Sequence, residues 1–84
     1  MSRVQRLKYR AWRRGMRECD LVLGGFADAR LDGMAPGDID AFEHLMDAPD
    51  DLLWTWILGS AEPDPVYAGP MLDTVRAYAR ETLK

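Results

Sequence analysis

The chain has 84 residues, 48% of them hydrophobic, and a formal net charge of −3. That length allows one domain, residues 1–84, with a small core, and that apolar content excludes a disordered chain. One cysteine, Cys19, and one histidine, His44, exclude an internal disulfide and a zinc site of the Cys/His type.

The net charge conceals an asymmetry. Residues 1–17 carry Arg3, Arg6, Lys8, Arg10, Arg13, Arg14 and Arg17 with no acid. Residues 18–64 carry twelve acids against Arg30 alone. Residues 65–84 carry Arg76, Arg80 and Lys84 against Asp73 and Glu81. Such a split predicts a basic face for an anionic partner, an internal charge match, or both.

Val4, Leu7 and Ala11 follow a helical period, and Trp12 extends the stripe, which predicts a first helix over about 3–12. The charges between these residues leave no apolar stretch of the secretory kind. Gly15 predicts a tight corner near 13–16. Cys19, Val22, Leu23, Phe26 and Ala29 make a second stripe over about 17–30. Gly24 and Gly25 fall inside it, each costing about 1 kcal/mol relative to Ala, so the helix either bends there or is crossed closely by another.

Asp32-Gly33 marks a turn. Pro36 suits the first position of a third helix, with Ala35 a weak cap before it and Ile39, Phe42, Leu45 and Met46 inward. Pro49-Asp50-Asp51 restarts the chain into a fourth helix with Leu52, Leu53, Trp56 and Ile57 inward, and Gly59 is its natural stop. Trp54 lies two residues from Trp56 and is expected to be the more exposed, or else to pack on the loop around Tyr67. Residues 60–69 form a Pro-bearing loop, and Pro70 begins a last helix with Leu72, Val75, Ala79 and Leu83 inward. No alternating β-branched run predicts a strand. The expected fold is therefore all-α, a compact bundle of five short helices. No apolar run approaches the ~18 residues of a membrane span, so no direct membrane insertion is expected.

Few groups suggest chemistry. Cys19 falls on an apolar stripe and reads as a buried, inert thiol, and His44 reads as solvated beside Glu43 and Asp47. Asp47, Asp50 and Asp51 lack calcium-loop spacing and read as helix-end charge. The most informative stretch is Arg13-Arg14-Gly15-Met16-Arg17-Glu18-Cys19-Asp20. Arg14 and Glu18 are four apart and could share one helical face, with Gly15 between them leaving room for another backbone. The plain alternative is a solvated corner with a capping glycine.

Arg14-Gly15-x-x-Glu18-x-Asp20 after a short basic helix resembles the signature of the FAD assembly factors of succinate dehydrogenase. These are the SdhE family in bacteria and succinate dehydrogenase assembly factor 2 in mitochondria. Phe26-Ala27, the helix from Pro36 to Met46, and Asp50, Leu53 and Trp56 with Gly59 after them continue the resemblance over nearly the whole chain. Ala35, where the family usually has Ser or Thr, and Gly24-Gly25 depart from it.

The resemblance implies a five-helix fold and a non-enzymatic role. Members bind the flavoprotein subunit of succinate dehydrogenase, often that of fumarate reductase too, and promote covalent attachment of FAD to a histidine of that client. The resemblance places Arg14, Gly15 and Glu18 at the client contact, with Asp20 either there or supporting the helix start. Arg10 and Arg17 flank them as further candidate contact residues. No catalytic residue, metal or tightly bound FAD is expected, since no Gly-rich strand-to-helix turn is present. The free protein is expected to be a monomer. With no presequence evident, its expected location is the bacterial cytoplasm rather than the mitochondrial matrix. The alternative is a small helical nucleic-acid-binding or adaptor module that uses the basic N-terminal segment, with Tyr9 and Trp12 stacking on bases. The acidic block makes nucleic acid the less expected partner.

Overall fold

The computed structural model describes residues 1–83. In chain order it holds α1 (Arg3–Trp12), α2 (Arg17–Arg30), a 3-10 turn (Leu31–Gly33), α3 (Pro36–Met46), α4 (Asp50–Leu58) and α5 (Pro70–Thr82). No strand occurs among the described residues. The bundle of five helices is thus the fold that the apolar periodicity predicts.

Each helix boundary has a local cause. Ser2 caps α1 through a reciprocal box: the Gln5 N–H donates to Ser2 Oγ at 3.1 Å, and the Ser2 N–H donates to Gln5 Oε1 at 3.0 Å. Pro36 and Pro70 open α3 and α5, where a missing N–H costs nothing. Ala35 precedes α3 with no side-chain cap, as its methyl dictates. Gly59 ends α4 at φ +78, and its N–H donates to Trp56 O at 3.1 Å.

The core gathers residues from all five helices. Phe26 stacks on Phe42 at 5.5 Å and meets the Tyr78 ring edge-on at 5.6 Å, joining α2 to α3 and α5. Gly24 and Gly25 resolve as close crossings. A Cβ on Gly24 would overlap the Trp12 ring, and one on Gly25 would stand 2.8 Å from the Tyr78 hydroxyl. Trp12 is therefore a lid on α2 at 38% exposure, with its indole N–H donating to Asp28 at 3.0 Å, rather than an inward member of the α1 stripe.

Three other expectations need correction at the edges of stripes. Ala29, Leu52 and Leu83 are exposed. Ala29 lies in the last turn of α2, Leu52 in the first turn of α4, and Leu83 one residue past α5. At such ends the neighbouring helix no longer covers the stripe. Trp56 is buried and Trp54 half-buried against the core, so α4 faces as expected. The ring on Tyr67 is however Trp56, at 5.7 Å. Tyr67 also stacks on His44 at 5.0 Å, and the His44 Nε2–H donates to Val66 O at 2.8 Å. His44 thus pins the 60–69 loop to α3 and is more than a solvated neighbour of Glu43 and Asp47.

Candidate functional site

The corner between α1 and α2 is built by two chain reversals. Arg13 leaves helical geometry at φ −127, ψ 46, and Gly15 takes φ +93. Only glycine adopts that φ without strain. Asp20, in the first turn of α2, reaches back to accept the Arg14 N–H at 2.8 Å. This settles its local part: it closes the corner and supports the start of α2. Met16, the residue before α2, offers no side-chain cap of its own.

Arg14 lies between the two helices, so it and Glu18 do not share a helical face. Its guanidinium turns inward. Nη1 donates to Met46 O at 2.7 Å, Nη2 donates to Ala48 O at 2.6 Å, and Nη2 pairs with Asp50 at 2.6 Å. The side chain is only 6% exposed. These carbonyls end α3 and lead into α4, where a cation opposes the negative end of the helix dipole. Arg10 joins from α1, donating to Met46 O at 3.2 Å and to Asp47 at 2.9 Å.

The outward side differs in kind. Gly15 is exposed, and nothing lies within 4 Å of where its Cβ would be. Arg17 and Glu18, the first two residues of α2, are exposed, and their side chains have no hydrogen bond or ion pair to another described residue. The six candidate residues therefore divide. Gly15, Arg17 and Glu18 present a surface, while Arg10, Arg14 and Asp20 brace it from behind. Beside them Arg13, the residue just past α1, lies over the Tyr9 ring at 4.4 Å, a pair the charge pattern alone does not single out.

Both readings of the charge asymmetry have a place. Four of the seven N-terminal cations are paired internally: Arg3 with Asp40 and Glu43, Lys8 with Asp32, Arg10 with Asp47, and Arg14 with Asp50. Arg6, Arg13 and Arg17 have no acidic partner among the described residues. Cys19 is fully buried beneath the corner, and burial pushes its thiol up to about 11. A thiol so held is a poor nucleophile at neutral pH, and His44 is occupied at the loop. Among the described residues no group of three or more His, Cys, Asp or Glu is placed to hold a metal ion. No helix among them is long and apolar enough to cross a membrane.

Comparison with known proteins places the chain in a family. The chain is 37% identical over 71 residues to the FAD assembly factor SdhE of Acetobacter pasteurianus, covering 84% of this chain and 65% of that protein. It is 33% identical over 65 residues to the SdhE of Aliivibrio fischeri, covering 77% of this chain and 76% of the relative. The mitochondrial succinate dehydrogenase assembly factor 2 of Meyerozyma guilliermondii is 33% identical over 65 residues, which is 77% of this chain and 48% of that protein. The chain thus spans from about half to three quarters of these relatives' lengths. No solved structure matches it. The family described as flavinator of succinate dehydrogenase matches residues 5–79, which take in the corner, the whole of α2, α3 and α4 and most of α1 and α5, and the chain belongs to that family.

Proposed function

We propose that this chain is a non-enzymatic assembly factor. It binds the flavoprotein subunit of succinate dehydrogenase, and by the same surface that of fumarate reductase, and promotes covalent attachment of FAD to the client. The observation that carries this reading is the corner: an open glycine flanked by an acid and a cation whose side chains have no partner among the described residues, braced from behind by Arg14 and Asp20. Such a surface suits binding and orientation of a partner. The factor's part is to hold the client in a reactive shape; FAD and the client supply the chemistry, and the factor holds no FAD tightly. Gly15, Arg17 and Glu18 make the contact, and Arg10, Arg14 and Asp20 act as positioning residues.

Nucleic acid fits less well. Most of the basic segment is neutralised by acids of the same chain, and a phosphate backbone would meet those acids. A monomer in the bacterial cytoplasm completes the reading.

The test is flavinylation of the purified client as a function of factor concentration, for wild type and Glu18→Ala. One lost charge-assisted hydrogen bond weakens binding roughly 10- to 100-fold. Excess variant should then restore the rate, because occupancy is what was lost. A Glu18→Ala plateau far below wild type, with binding intact by calorimetry, would make Glu18 a participant in the chemistry and overturn the binding role.

A further inference from the structure

We infer that the cleft beside the corner receives a single carboxylate from the partner's surface, an aspartate or glutamate side chain held by Arg13 and Tyr9. This rests on the partner-binding reading above and adds a ligand chemistry and two residues to it. The cleft is about 230 Å³ and is lined by Tyr9, Arg10, Arg13, Arg14 and Asp50. Two of its three cations are already matched, Arg14 by Asp50 at 2.6 Å and Arg10 by Asp47 at 2.9 Å. Arg13 has no acidic partner among the described residues.

Its guanidinium lies 4.4 Å from the centre of the Tyr9 ring. That contact restrains a flexible side chain through its charge and leaves the guanidinium N–H donors free. The Tyr9 hydroxyl likewise has no partner among the described residues, and Tyr9 is 55% exposed. One uncompensated cation with a planar fork of donors matches one carboxylate in charge and in geometry. Gly15, two residues on, lets the partner's backbone come close enough to deliver it. A polyanion is a worse match, because Asp50 lines the cleft and Asp47 stands beside Arg10. A free small acid held by one exposed guanidinium binds weakly; a carboxylate carried on a docked partner arrives at high effective concentration.

The experiment measures binding of the full chain to the purified flavoprotein subunit by calorimetry at several salt concentrations. Wild type, Arg13→Gln, Arg13→Lys and Glu18→Ala are compared, with thermal midpoints as a control on folding. Arg13→Gln should weaken binding about tenfold at low salt and flatten the salt dependence, with its midpoint unchanged. Arg13→Lys keeps the charge and should recover part of the loss. Wild-type affinity in Arg13→Gln, with Glu18→Ala still impaired, overturns the carboxylate site and leaves the assembly-factor reading standing. No binding by wild type sinks that reading and this site with it. A single-stranded oligonucleotide whose binding is lost in Arg13→Gln, with flavoprotein affinity untouched, would assign the cleft to a polyanion and overturn the inference.

Discussion

The Arg14 guanidinium donates to the Ala48 carbonyl at 2.6 Å, which fastens the corner between α1 and α2 to the break between α3 and α4. The same side chain holds Met46 O and Asp50. Arg14→Ala removes all three contacts at a nearly buried site. The expected loss is about 3 kcal/mol, at the lower end for a broken buried pair because Asp50 stays hydrated. In a domain of this size that lowers the thermal midpoint by roughly 12–24 °C. Arg14→Lys should recover only part, since an ammonium cannot span carbonyls two residues apart as a fork does. Calorimetric midpoints within about 3 °C of wild type would show that the fork is dispensable.

Gly15 combines a backbone demand with an open outer face, and substitutions separate the two. Gly15→Ala should cost about 1–2 kcal/mol through the left-handed φ, and Gly15→Asn less. Both leave the surface low, so client affinity should change little. Gly15→Arg carries the same strain and adds a long side chain where nothing else stands, so it should block the client while the helical spectrum persists. Equal loss of binding in all three variants would locate the effect in the backbone and not in the surface.

Gly24→Ala would ordinarily stabilise a helix by about 1 kcal/mol. Here the methyl meets the Trp12 ring, and overpacking of that kind costs about 1–3 kcal/mol. The sign should reverse in a Trp12→Ala background, where the space is free. Denaturant midpoints of the four proteins in this cycle measure the coupling directly. Additive changes would mean that the indole moves aside at no cost.

Trp56 is 4% exposed and stacked on Tyr67, whereas Trp54 is half-buried. Trp56→Ala should cost about 3–5 kcal/mol, enough to unfold a small domain. Trp54→Ala should cost clearly less. Urea midpoints shifted equally would contradict the facing of α4.

Cys19 gives the stability a pH dependence at the alkaline end. Burial raises its thiol to about 11, against about 8.5 in an unfolded chain. The folded state therefore holds this proton where the unfolded state releases it. The Cys19 contribution is complete below about pH 8.5 and is lost as pH climbs towards 11. Cys19→Ala should show a shallower alkaline decline in chemical unfolding, and native Cys19 should react with a thiol reagent at pH 8 far more slowly than in denaturant.

Helix boundaries were legible wherever one residue type dictates them locally: Pro36, Pro70 and Gly59 each open or close a helix by their own covalent geometry. The Ser2-x-x-Gln5 box is a local signal of the same kind, a hydroxyl and an amide three residues apart at a helix start. The motif residues were legible as a group through resemblance, but their division of labour was not. Helical spacing put Arg14 and Glu18 on one face, whereas the chain leaves the helix at Arg13, and the Arg14 partners lie more than thirty residues away. Spacing along a chain carries no trace of contacts set by tertiary closure. Trp12 misled for a related reason, since its period fits α1 but its ring is claimed by a glycine of α2.

The long reach of Arg14 ties the shape of the corner to completion of folding. Local order in residues 13–20 needs only Asp20 and Gly15, but the brace behind them exists only after the end of α3 has docked. A chain caught with α1 and α2 formed and the rest unfolded would carry every residue of the motif and no rigid corner. On the proposed binding role, such an intermediate should bind a client more weakly than the finished protein, so that binding would report whether the end of α3 has docked.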